Sequence, residues 1–177
     1  DWLSSHPDYR ICQTEEIWVR DGRRVNPKKR HRKFGGHIFK RCLPLCLVSP
    51  SAVMLEAGLL AEVGGFDEAL PACEDYDLWL RIAATYPIGL VDRPLIVKTG
   101  GHSDQLSRAA ELDRYRIRAL ANLLRNDTLT TDQYSAAWEM LAAKIKVYAG
   151  GCRKRGRVGE AEQLETLAAA LKPVDGG

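Results

Sequence analysis

The hydrophobic pattern changes character once along this chain, at Thr99-Gly-Gly-His, and that change constrains the architecture more than any other feature. Upstream of it, short apolar runs alternate with breaks rich in Gly, Pro and Asp. Downstream, residues 109–171 carry no strand signal and only helical periodicity. The pattern predicts an α/β portion over residues 1–107 and an all-α tail over 108–177. With 177 residues, 45% of them hydrophobic, one core-bearing domain plus an appendage is the natural expectation.

In the first portion, Tyr9-Arg-Ile-Cys-Gln-Thr reads as a strand, and Glu16-Ile-Trp-Val-Arg continues it as extended chain up to a hairpin turn at Asp21-Gly22. A short helix over 37–43 is stopped near Pro44. A short buried strand over 52–55 precedes a helix over 56–62, closed by Gly64-Gly65 as a C-cap. Residues 74–86 give the strongest helix signal: Leu78, Ile82 and Tyr86 recur every four residues, with Trp79 and Ala83 alongside. Pro87 ends it. Two strands, 88–91 and 95–98, flank Asp92-Arg93-Pro94.

The tail divides into helices at about 108–125, 131–149 and 157–171. The break before the second carries a partial cap at Thr131, and the third follows Gly150-Gly151 and a basic run. Leu120, Leu123 and Leu124 would face Trp138, Leu141, Ile145 and Tyr148 in a helical hairpin or small bundle.

Net charge is only +3, too small to require a nucleic-acid or membrane partner, and no apolar run approaches the length of a membrane span. The chain begins at Asp1 without a signal-peptide pattern, so its start reads as a truncated end. An odd set of five cysteines without a secretory signal predicts reduced thiols in the cytoplasm. Cys42 and Cys46 can share a helix face near His37, but no C-x-x-C pair exists. Ordinary thiols are favoured there over a zinc site.

The chemistry-bearing residues cluster in the first portion. Glu74 and Asp75 open the strongest helix, where the helix dipole favours ionised carboxylates. They read either as dipole partners or as a general base, Asp75 first; Asp77, two residues on, should point elsewhere. Gly64-Gly65 reads as a helix cap or as a loop allowing close backbone approach to a ligand. His102, on a glycine-flanked loop, could reach a metal or phosphate oxygen, with Ser103, Gln105 and Ser107 as neighbouring hydrogen-bonding candidates. Trp18 could stack on a sugar face, although Trp18, Trp79 and Trp138 all read first as core. The basic run Arg23, Arg24, Lys28, Lys29, Arg30, Arg32 and Lys33 lacks interleaved aromatics. It reads first as a solvated loop, with an anion-binding acceptor loop and a nucleic-acid patch as the alternatives.

Taken together, Ser49-Pro-Ser-Ala-Val-Met-Leu, Val63-Gly-Gly-Phe-Asp-Glu, Glu74-Asp-Tyr-Asp-Leu-Trp-Leu-Arg and Val97-Lys-Thr-Gly-Gly-His resemble the second half of a family 2 glycosyltransferase of the GT-A fold, over roughly residues 5–108. The resemblance implies a partial GT-A fold lacking the N-terminal nucleotide-binding half and its Asp-x-Asp metal motif. It implies inverting transfer of a sugar from a nucleotide-sugar donor to an acceptor hydroxyl, assisted by a divalent metal, Mn2+ or Mg2+. Carried across, Asp75 with Glu74 is catalytic, Gly64, Gly65 and Asp67 lie by the substrate with Trp18, and His102 contacts the metal. The acceptor would be a carbohydrate or a lipid-linked molecule, with no nucleic-acid partner. Homo-oligomerisation through the helical tail and peripheral attachment at the inner membrane face stay open. Without the donor half, this chain by itself is expected to be inactive. The alternative is a non-catalytic interaction module derived from such an enzyme.

Overall fold

In a computed structural model of the chain, residues 2–100 and 112–173 are described. A four-stranded mixed sheet is built around one long strand, β1 (Ile11–Arg20). Two antiparallel neighbours share one edge of β1: β2 (Arg23–Val25) pairs with its C-terminal end and β3 (Val53–Leu55) with its N-terminal end. Strand β4 (Gly89–Gly100) runs parallel to β1 along the other edge. The β1–β2 turn is Asp21-Gly22, both residues at positive φ (50° and 70°), as a tight hairpin requires.

The two strands expected at 88–91 and 95–98 are one. Asp92-Arg93-Pro94 does not end β4. It is absorbed as irregular register against Thr14, Glu15 and Glu16, and pairing resumes from Ile96. A proline cannot donate to the ladder, so a bulge relieves the mismatch without breaking the strand. The short strand expected to be buried at 52–55 is only half-buried, and Met54 is exposed.

Helices α1 (Phe39–Cys42), α2 (Ala57–Glu62) and α3 (Glu74–Thr85) follow the sequence pattern closely. On α3, Leu78, Trp79, Ile82 and Ala83 are buried as the spacing requires. Tyr76 and Leu80 are buried too, because neighbouring elements cover α3 on more than one face.

The tail comprises α4 (Leu112–Leu124), α5 (Thr131–Lys154) and α6 (Val158–Ala170). Gly150-Gly151 does not end α5. Ala149 and Cys152 on either side are fully buried, and their packing offsets a glycine cost of about 1 kcal/mol per residue. The chain turns instead at Gly156, at φ 73°. The cap of α5 is also one residue earlier than expected. Thr130 Oγ1 accepts from Gln133 N at 3.2 Å while Thr130 N donates to Gln133 Oε1 at 2.9 Å, a complete capping box. Gln133 Nε2 then donates to Ala84 O at 2.8 Å and ties α5 to the end of α3. Trp138 is half-buried, its indole N–H donating to Ala168 O. One hydrophobic cluster runs from Ile11 and Ile88 under the sheet through α3 to Leu120, Leu141 and Cys152, so tail and sheet share a core. Among the described residues no helix is long and apolar enough to cross a membrane.

Candidate active site

The sheet's C-terminal end, the 44–50 loop and the start of α3 enclose a cleft of about 750 Å³. Asp75, Trp18, Lys33, Lys98 and Arg116 line it, together with Cys46, Cys73 and an apolar wall that includes Leu45, Leu47 and Val48. The local chemistry is set by how α3 starts. Its first residue is preceded by Cys73 at φ 65°, a left-handed conformation that costs a non-glycine residue roughly 1–3 kcal/mol. That kink presents Glu74 and Asp75 in the first turn, within the positive end of the helix dipole.

Asp75 is half-buried. Its Oδ1 accepts from the Tyr76 backbone N–H at 2.7 Å, and its Oδ2 accepts from the Cys46 thiol at 3.4 Å. Both oxygens are therefore oriented, while the carboxylate still opens on the cleft. Burial, and then the negative charge of Asp75, push the Cys46 thiol well above its ordinary value, so it stays protonated and able to donate. Cys42, deeper in the core, is pushed up to about 12 by burial. Glu74 is half-buried beside Asp75 and does not line the cleft.

Trp18 lines the same cleft and is not simply core. Its indole N–H donates to Glu16 Oε2 at 2.9 Å, Lys98 Nζ lies 5.4 Å from its ring centre, and the His31 ring is tilted against it at 5.4 Å. Glu16 is the residue that sequence reasoning missed. Its carboxylate, 3% exposed, faces the equally buried ammonium of Lys33 at 3.2 Å. Burial is the largest single influence on Glu16 and raises it. Hydrogen bonding from Ser49 and Trp18, with the charges of Lys33 and Lys98, outweighs burial and holds Glu16 below its ordinary value. Burial pushes Lys33 down, against the pull of Glu16. The expected solvated loop at 23–33 is thus corrected: it contains strand β2, a 3-10 turn at Lys29–His31 and a buried lysine. The only sequence signal for this was a lone glutamate in a strand heading for the core.

Gly64, Gly65 and Asp67 do not join the cleft. Gly64 and Gly65, at φ 84° and 67°, close α2 as a cap, the Gly65 N–H donating to Leu60 O at 2.9 Å. Arg81 on the far side of α3 holds this loop, donating to Val63 O and to Gly65 O at 2.7 Å and making a two-point ion pair with Asp77. Gly64 and Asp67 line a separate shallow pocket of about 180 Å³ with Asp77 and Arg81. Asp77, as the spacing predicted, points away from Asp75. His102 and the neighbouring Ser103, Gln105 and Ser107 lie outside the described residues. Among those that are described, no group of three or more His, Cys, Asp or Glu side chains is arranged to hold a metal ion. The described residues therefore do not by themselves fit a metal centre.

The chain is 40% identical over 68 residues to an uncharacterized glycosyltransferase of Rickettsia conorii and 38% identical over 68 residues to one of Rickettsia felis. It is 32% identical over 80 residues to a third, from Rickettsia bellii. These matches cover 37–44% of this chain, and the matched stretch spans only about a tenth, 11%, of each relative's length. No family profile and no solved structure matches it. The similarity supports a protein related to glycosyltransferases, carried on a mixed α/β fold.

Proposed function

We propose that this chain forms the acceptor-side portion of a family 2 glycosyltransferase of GT-A type, which transfers a sugar from a nucleotide-sugar donor to an acceptor hydroxyl with inversion. The supporting observation is Asp75: a carboxylate oriented through both oxygens at a helix start, open to a cleft of about 750 Å³, in a chain similar to glycosyltransferases. In this reading Asp75 takes the proton of the acceptor hydroxyl while that oxygen bonds to the anomeric carbon. The bond from that carbon to the donor's diphosphate breaks as the new one forms, so no covalent enzyme intermediate is needed. The strained Cys73 and the Cys46 thiol hold the carboxylate in position. Trp18 offers an aromatic surface to the acceptor. Gly64, Gly65 and Asp67 act on the far side of α3 by fixing the loop that precedes it. A divalent metal and a role for His102 enter the proposal through the family resemblance.

The test is nucleotide-sugar binding and turnover with manganese, measured on this chain, on the full product of its gene and on that product carrying Asp75→Asn. Turnover by the full product, lost in Asp75→Asn with donor binding kept, supports the reading. A full product that binds no nucleotide sugar sinks it and leaves a non-catalytic interaction module as the better account.

A further inference from the structure

The transfer chemistry leaves one feature of the cleft unused, its charge balance. Five cations line it, Arg20, Arg30, Lys33, Lys98 and Arg116, against two carboxylates, Glu16 and Asp75. Glu16 is sequestered against Lys33 and the Trp18 indole and is 3% exposed, so it offers little to a ligand. Among the described residues no carboxylate lies within ion-pair distance of Arg20, Arg30 or Lys98. Beneath them the Lys33 ammonium, 5% exposed, is already paired with Glu16 at 3.2 Å, so the charge left for a ligand lies on the exposed cations. His31 registers the same imbalance: burial first, then the charges of Arg30, Lys98 and Lys28, hold its ring below the ordinary value.

We infer that the Trp18 side of this cleft is a phosphoryl-binding subsite, in which Lys98, Arg30 and Arg20 supply the charge. A phosphoryl group fits this set better than a carboxylate does. It brings up to two negative charges and three acceptor oxygens, and arginine forks match its geometry. Two substrates could carry it, the diphosphate of a nucleotide-sugar donor or a phosphate on the acceptor. Only that attribution rests on the transferase reading; the subsite itself does not involve Asp75.

The experiment is an NMR titration of the whole chain with inorganic phosphate, pyrophosphate and a sugar monophosphate at fixed ionic strength, against chloride, following the Trp18 indole and His31 ring signals. The expected result is a saturable shift of both and a rise in the His31 pKa of about half a unit or more, because a bound anion offsets the neighbouring cations. Lys98→Gln and Arg30→Gln, both at exposed positions, should each weaken binding by about tenfold, the scale of one charge-assisted contact. Asp75→Asn, which removes one of the two negative charges lining the cleft, should not weaken anion binding, so loss of transfer and loss of anion binding separate. Preference for pyrophosphate and competition by a nucleoside diphosphate assign the subsite to the donor. Equal or tighter binding of the sugar monophosphate assigns it to the acceptor. The proposal is overturned if neither signal responds saturably, if both variants respond like the parent, or if a single-stranded oligonucleotide held by Arg23, Arg24 and Lys28 displaces every smaller anion.

Discussion

Asp75 and Asp77 are two residues apart on α3, yet one opens onto the cleft and the other is locked against Arg81 on the opposite side. Asp75 gives its oxygens to a backbone N–H and a thiol, weak partners that orient it without neutralising its charge. Asp77 meets a guanidinium in a two-point ion pair whose other N–H groups hold the Val63 and Gly65 carbonyls. Burial raises Asp77 above its ordinary value even against Arg81. The contrast separates two tasks along one helix. The Arg81 side spends its polar groups on holding the loop in place, and the cleft side keeps a carboxylate available. The same division holds between Glu16, buried and spent on Lys33, and Arg20, Arg30 and Lys98 in the same cleft, which among the described residues have no carboxylate within ion-pair distance.

The largest effects are expected when the two sides of α3 are disabled in turn. Asp75→Asn should cut transfer by the full gene product by about 10²- to 10⁴-fold, the usual range for a general base, while its thermal midpoint stays near the parent's. Steady-state kinetics beside a thermal melt checks both halves. Arg81→Ala should do the reverse. It leaves Asp77 buried and unpaired and frees two carbonyls, costing about 3–5 kcal/mol. That corresponds to a drop in midpoint of roughly 10 °C for a chain of this size, with phosphate binding kept in the fraction that remains folded.

Lys33→Met sharpens the parallel contrast in the cleft. It strands the Glu16 carboxylate, and about 3 kcal/mol should be lost at pH 7. The double variant Glu16→Gln/Lys33→Met should recover most of that, as denaturant unfolding would show. The pH dependence follows from Glu16 being held below its ordinary value of 4.5. Its contribution is complete above pH 4.5 and is lost as pH falls through the lowered value. Glu16→Gln should remove that part of the acid-side loss, visible as a flatter plot of midpoint against pH. The smallest effect is expected at Gly65→Ala. A Cβ there meets open space, but φ is 67°, so only the backbone conformation is penalised, by about 1–2 kcal/mol.

Local signals carried α3 from the sequence almost to the residue, because its spacing and its Pro87 stop are properties of the segment itself. The Asp21-Gly22 hairpin was legible for the same reason. Strand β4 was not. Asp92-Arg93-Pro94 looks like a turn in isolation, and only pairing with β1 on either side makes a bulge the cheaper solution. Gly150-Gly151 looked like a helix end until the burial of Ala149 and Cys152 outweighed propensity. Lys33 misled in the other direction. Seven cations in eleven residues suggest solvent, and the acceptor that buries one of them lies on a different strand.

By itself the sequence determined the class of architecture, the helix that bears the candidate base, and the opposed directions of Asp75 and Asp77, since residues two apart on a helix cannot share a face. It could not decide which direction was the cleft. That depended on where the sheet, the 44–50 loop and α4 close around the helix start, and such contacts join segments far apart in the chain. The isolation of Gly64 and Gly65 from the cleft and the pairing of Glu16 with Lys33 are decisions of the same kind. Burial sets both, and burial belongs to the packed whole.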